Sequence, residues 1–168
     1  SGAGIYRPVH MFVGDKKRIT LNGVKIRTLS LYPAVVEVCV NTTGVGLVTV
    51  AVEKNGKKIV SASNEQNDGD AVFALEIPHA KFWSPDTPEL YTCRVKYEND
   101  EQIHSFGIRT LTCDHTNGLC INGERVIIRG ACIHSDNGIL GARSYPEAEE
   151  RKIRILKENG YNAIRSAH

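Results

Sequence analysis

Arg129, His134 and Asp136 in "RGACIHSDNG", and Arg165 and His168 in "GYNAIRSAH", are the residues of this chain best suited to holding a polar ligand. Guanidinium and imidazole groups donate hydrogen bonds and a carboxylate accepts them, which is the complement of a neutral, hydroxyl-rich molecule such as a sugar ring. A single histidine near the end of a strand is more often structural than functional, and Arg129 could simply pair with a carboxylate. The set means something only if the chain brings its members to one rim.

The elements around them predict that it does. "SYPEAEERKIRILKENG" reads as a helix, with Ser144 and Glu147 spaced as a capping box and acidic Glu147, Glu149 and Glu150 in the first turns. Glu147 to Arg151 and Glu150 to Arg154 are spaced four apart in the favourable order. Ala148, Ile153, Ile155 and Leu156 make an apolar stripe, and Gly160 is placed to end the helix in a left-handed turn. Ahead of the helix, "GLCINGERVIIRGA" predicts a hairpin across Asn122-Gly123 whose second arm, Val126 to Ile128, is a continuous apolar run of the kind buried in parallel sheets. Behind it, Tyr161 to Ile164 reads as another buried strand. Strand, helix, strand is a βαβ unit, so strands 126–132 and 161–166 are expected to lie parallel. Ligands of such folds gather at the carboxyl ends of parallel strands, where these five residues would meet. One βαβ unit cannot bury its own helix stripe, so it is expected to belong to a larger sheet or barrel.

Residues 8–110 follow a different pattern, with short alternating segments at 8–13, 24–30, 34–42, 46–54, 57–63, 70–76, 89–97 and 101–110. Asn55-Gly56 marks a two-residue hairpin, and "NDGD" at 67–70 marks another expected reversal. This spacing predicts a mainly β chain opening with an immunoglobulin-like antiparallel β-sandwich. "LYTC" places Tyr91 two residues before Cys93, as in a tyrosine corner, yet Cys39 and Cys93 should not bridge. Val36, Val38 and Val40 claim the inner face and turn Cys39 outward, whereas Tyr91, Cys93, Val95 and Tyr97 share an apolar face. Trp83, the only tryptophan, precedes Pro85 and Pro88 and is expected to plug the end of the sandwich core; a sugar-stacking role is the rival.

The totals exclude several classes. Twenty-one basic against nineteen acidic residues, with no basic stripe, argue against nucleic acid as a partner. No apolar run approaches the ~20 residues of a membrane span. Five cysteines without a CxxC pair argue against a metal site, and no cofactor is implied. The opening "SGAGIYRPVH" lacks a starting methionine and a signal-peptide pattern, and the chain closes on "RSAH", so a piece of a longer protein is expected. Free cysteines suit a reducing compartment, but localisation stays open.

Taken in order, "GIYRPV", the sandwich, "WSPDTPELY", "FGIRT", "LCINGERVIIRGACIH" and "LKENGYNAIRSAH" resemble the middle of a glycoside hydrolase family 2 enzyme, most nearly the β-galactosidases. The resemblance implies residues 1–112 as the immunoglobulin-like domain and 113–168 as a hairpin and first βαβ unit of an incomplete (β/α)8 barrel. The family's Asn-Ala-x-Arg-x-x-His segment is matched by Asn162, Ala163, Arg165 and His168. Its Arg-Gly-x-Asn-x-His-Glu segment is matched at Arg129, Gly130 and His134, but Cys132 and Ser135 replace the asparagine and the glutamate. By that resemblance His134, Asp136, Arg165 and His168 line a sugar subsite, Asp136 the weakest of them, and the two substitutions leave the sugar open between β-galactosides, β-glucuronides and β-mannosides. Retaining glycosidases need two carboxylates about 5–5.5 Å apart. The resemblance puts both on later barrel strands, so this chain should carry no catalytic residue and be inactive alone. Glu147, Glu149 and Glu150 are no substitute, being solvated groups on a helix. A non-catalytic immunoglobulin-like binding module remains the alternative, and unpaired strand edges make self-association possible.

Overall fold

The computed structural model describes residues 9–134 and 136–167, with only the backbone considered at Asp68. The described residues fall into two units, one formed by residues 13–126 and the other by 9–12 with 127–134 and 136–167.

The first unit is built on one antiparallel sheet of five strands: β1 (Ile19–Leu31), β2 (Ala34–Lys54), β3 (Lys57–Glu76), β4 (Tyr91–Tyr97) and β5 (Asp100–Phe106). The order is β1-β2-β4-β5, with β3 also paired to β2. The sheet curls because β2 and β3 are long and bend together. The first half of β2 pairs with β1 and with the second half of β3; its second half pairs with the first half of β3 and with β4. Expected strands 34–42 and 46–54 are therefore one strand, as are 57–63 and 70–76, and "NDGD" is a bend inside β3 and not a reversal. Gly69 there has φ +97°, a conformation that favours glycine. In β2 the ladder shifts between Thr42 and Val45, with Gly44 at φ +84°. The Tyr97 hydroxyl, carried from β4, shares its one proton between the carbonyls of Thr43 at 3.0 Å and Gly44 at 2.8 Å, at the point where the bulge interrupts the ladder.

Both halves of the sheet turn their apolar faces into one core. Val36, Val38, Val40, Val48, Val50 and Val52 have no exposed surface, and each contributes about 1.5–3 kcal/mol by leaving water. Cys93, Val95, Phe73 and Ile108 join them. Cys39 is half-buried on the outer face and Cys93 fully buried, as the alternation requires, and both are free thiols. Burial drives the Cys93 thiol up to about 12. Tyr91 does form the corner that "LYTC" suggests, its hydroxyl accepting the Lys81 N–H at 2.8 Å.

Three expectations about residues 8–110 need correction. Residues 9–13 form no strand, and the last sheet strand ends at Phe106. Trp83 does not plug the core; Phe82 and Ala80 pack there instead. Trp83 is half-buried against Gly107, with the Arg109 guanidinium 4.3 Å above its ring and its carbonyl accepting Asn122 Nδ2 at 3.0 Å. The prolines that exclude a ladder also release the tryptophan from the strand alternation that would have aimed it inward. A short meander follows: β6 (Leu111–Asp114), β7 (Gly118–Ile121) and β8 (Glu124–Arg125). Asn122 and Gly123 both have positive φ, as do Asn55 and Gly56, which makes the two predicted hairpin turns the type that matches strand twist.

The second unit holds β9 (Gly130–Ile133), helix α1 (Pro146–Glu158) and β10 (Ala163–Ser166). The two strands pair in parallel, Gly130 opposite Ala163 and Ile133 opposite Ser166. Among the described residues no further strand joins them. The run at 126–129 forms no ladder, contrary to expectation, and Ile127 and Ile128 are 67% and 60% exposed. A continuous apolar run needs cover on both faces to act as a buried strand, and β10 is long enough to pair only from Gly130 onward.

Candidate functional site

Asn162 decides where the parallel pair begins. Its Oδ1 accepts the Arg129 N–H at 2.8 Å, its Nδ2 donates to the Ile127 carbonyl at 3.0 Å, and its own backbone N–H donates to the Arg129 carbonyl at 3.0 Å. One amide side chain thus takes the place of a ladder rung before the ladder starts, fixing the register that follows. Gly130 is needed at the next step, because a Cβ there would lie 2.9 Å from the Ala163 carbonyl oxygen. Nothing in the composition separates this asparagine from an ordinary turn residue; its signals in the sequence are its place two residues after the helix-ending glycine and its match to the family's Asn-Ala-x-Arg-x-x-His segment.

Arg129 belongs to this lower end and not to the rim. It precedes β9, and its Nε donates to the Gly160 carbonyl at 3.0 Å. The expectation that it joins the rim fails because it stands at the amino end of a strand whose carboxyl end leads into His134. Gly160, at φ +80°, does end the helix as predicted. Its N–H donates to the Lys157 carbonyl and the Tyr161 N–H to the Leu156 carbonyl, both at 3.0 Å, the paired bonds of a Schellman motif.

At the carboxyl end the ladder closes with the Ala167 N–H donating to the Ile133 carbonyl at 3.0 Å. His134 follows β9 directly and is exposed. Arg165 is opposite Cys132 across the pair, and its guanidinium lies 3.8 Å from the Cys132 sulfur. Asp136 is exposed; its Oδ1 accepts the Gly138 N–H at 3.2 Å and its own N–H donates to the His134 carbonyl at 2.8 Å, so it also shapes the turn that carries it. His168 and Ser135 lie outside the described residues. Of the four predicted residues, the structure describes His134, Asp136 and Arg165, all within or just past the last residues of the two parallel strands. A cleft of about 390 Å³ opens between β9, its following turn and α1, lined by Cys132, His134, Asp136, Lys152 and Ile155 among others.

The helix start differs from the predicted capping box. Tyr145 is the cap residue and makes no side-chain bond, and Pro146 occupies the first helical position. Ser144 Oγ donates instead to Glu149 at 2.9 Å, and the same carboxylate receives Asn137 Nδ2 at 3.0 Å and Lys152 Nζ at 2.8 Å. These donors, Lys152 foremost, draw the Glu149 carboxyl down to about 2. Glu150 meets Arg154 at 2.6 Å as expected. Sequence spacing hid the role of Glu149 because its partners come from a loop that follows no periodic pattern. Among the described residues no cluster of histidine, cysteine or carboxylate side chains could hold a metal ion, and no helix is long and apolar enough to cross a membrane.

Three comparisons bear on this arrangement. The model of the glycosyl hydrolases family 2 matches residues 24–109. The whole chain is similar to a β-galactosidase from Bacteroides ovatus, 32% identical, and 98% of it to a β-glucuronidase from Bacteroides fragilis, 27% identical. The chain spans 22% and 27% of the lengths of those relatives. In structure it is similar to a glycosyl hydrolase family 2 member from Bacteroides cellulosilyticus, with a TM-score of 0.85 and 29% identity over 92% of this chain and 24% of that one.

Proposed function

This chain belongs to glycosyl hydrolase family 2, and we propose that it acts, as part of a longer protein, in a retaining exo-glycosidase that removes terminal β-galactosides. In this reading residues 1–112 are an immunoglobulin-like supporting domain and 113–168 are the hairpin and first βαβ unit of a catalytic barrel. His134, Asp136, Arg165 and His168 bind the sugar. The two reacting carboxylates come from polypeptide outside this chain, so the chain alone is inactive.

The observation that carries the proposal is the parallel pairing of β9 with β10, which delivers His134 and Arg165 to neighbouring strand ends. Barrel enzymes assemble their sites from such ends, and donors of this type suit sugar hydroxyls. A second reading is favoured by the β-glucuronidase relative: Arg165 could pair with a uronate carboxylate as readily as it donates to a hydroxyl. β-Mannosides are the third choice. Ile127, Ile128 and Ile164, each more than 45% exposed, lead us to propose in addition that the isolated chain self-associates, which light scattering would read as mass above that of a monomer.

The test is an assay of the full-length protein on chromogenic β-galactoside, β-glucuronide and β-mannoside, with the product anomer followed by NMR. The expected result is retention of configuration and a kcat/KM at least ten times higher for the galactoside. Losing a charge-assisted hydrogen bond costs about 1.5–3 kcal/mol, so R165A should lower kcat/KM by roughly 10- to 100-fold. Absence of cleavage, or inversion, would overturn the proposal.

A further inference from the structure

Among the described residues between His134 and Ser144 the one regular element is a 3-10 turn at Gly138–Leu140, yet the loop is tied to α1 at both ends by two side chains one turn apart. Glu149 receives Asn137 from the near end of the loop and Ser144 from the far end, at 3.0 and 2.9 Å. Lys152 binds the other oxygen of Glu149 at 2.8 Å and reaches the Asp136 carbonyl at 3.5 Å. Asn137 in turn donates from Nδ2 to the Arg143 carbonyl at 3.0 Å, and its N–H donates to the Gly141 carbonyl at 2.9 Å, which closes the loop on itself. A solvated glutamate on a helix needs no such set of partners. Three donors on one carboxylate are a geometry that only a particular loop conformation permits, and those donors, Lys152 foremost, are what lower the proton affinity of Glu149.

We infer that Glu149 is a positioning residue for substrate binding: from α1 it holds both ends of the loop that follows His134 and carries Asp136, and so sets where those two side chains stand at the carboxyl end of β9. The inference rests on the proposed glycosidase function. Glu149 reaches no substrate itself and takes no part in bond breaking, so its contribution falls on ground-state binding. An ordered loop presents its donors and acceptors without the entropy cost of freezing them when the sugar arrives.

E149Q keeps the size and one acceptor oxygen but loses the charge that gathers Lys152, Asn137 and Ser144; E149D keeps the charge and withdraws it by one methylene. E150Q, on the neighbouring exposed position paired with Arg154, serves as the control. In the full-length protein, with the β-glycoside it cleaves best, E149Q is expected to raise KM about 5- to 10-fold with kcat within twofold of wild type. E149D should fall between, and E150Q should change neither. Amide exchange at Asn137 and Gly141 should quicken at least fivefold in E149Q while that of β9 and β10 holds. A wild-type protein that cleaves no β-glycoside defeats the proposed function. Wild-type cleavage with an E149Q KM unchanged, or a loss of kcat in step with melting temperature, defeats this inference alone.

Discussion

Adding one methyl group at Gly107 should dislodge the only tryptophan of the chain. A Cβ built there would lie 2.7 to 2.8 Å from Cβ, Cγ and Cδ1 of Trp83, closer than real carbon atoms approach. Those atoms are near the root of the side chain, so no rotation of a flexible end relieves the contact. Trp83 cannot retreat freely either. Its N–H donates to the Ile108 carbonyl at 2.9 Å, its carbonyl is held by Asn122, and Arg109 covers its ring. Overpacking of this kind costs about 1–3 kcal/mol. Losing the cation–π contact and one hydrogen bond adds roughly 1 kcal/mol. For G107A we expect about 2–4 kcal/mol of destabilisation, which for a unit of this size lowers Tm by roughly 8–16 °C. Urea unfolding followed by tryptophan fluorescence reads both consequences at once, a lower midpoint and a red-shifted native emission as Trp83 gains water. A double-mutant cycle followed by circular dichroism isolates the contact: in a Trp83→Gly background, which removes Cβ along with the ring, the same G107A change should cost under about 0.5 kcal/mol. If G107A matches wild type in midpoint and emission, the close approach of Gly107 to Trp83 is wrong.

Tyr97→Phe removes the hydroxyl that serves the β2 bulge and should cost about 1 kcal/mol with an unchanged m-value, measured by urea denaturation. Cys93 has its proton affinity raised by burial from 9.0 to about 12, so the native state favours the neutral thiol. Its contribution is intact below pH 9 and is lost as pH rises toward 12, by about 1.4 kcal/mol per pH unit. Stability curves of Cys93→Ala should therefore fall less steeply than wild type above pH 9, and parallel curves would refute the burial argument. Asn162→Asp keeps the acceptor for the Arg129 N–H but sets a carboxylate oxygen against the Ile127 carbonyl; exchange of the amides at 163–166 should quicken about tenfold, read by NMR or mass spectrometry.

The parts of this molecule that could be read from residue order are those governed by neighbours along the chain. Asn55-Gly56 and Asn122-Gly123 had to be hairpin turns because both residues of each pair must take positive φ, and they do. Gly160 had to end a helix for the same reason, and the alternation of valines with polar residues sorted Val36, Val38 and Val40 from Cys39 without knowledge of any partner. The mainly β character and the parallel strands around one helix followed from those local rules, and the likeness to a family came from motifs spread along the whole chain. Tertiary structure settled whatever depended on groups distant in sequence. That 34–42 and 46–54 form one strand depends on Tyr97 reaching across to two bulge carbonyls. Ser144 ceased to be a cap because Glu149 offered its hydroxyl a charged acceptor. Arg129 and His134, five positions apart, were parted to opposite ends of β9 by a register that Asn162 sets from 33 residues away. A local conformational preference is worth tenths of a kcal/mol to about one, and a buried or charge-assisted contact outweighs it whenever the fold supplies the partner.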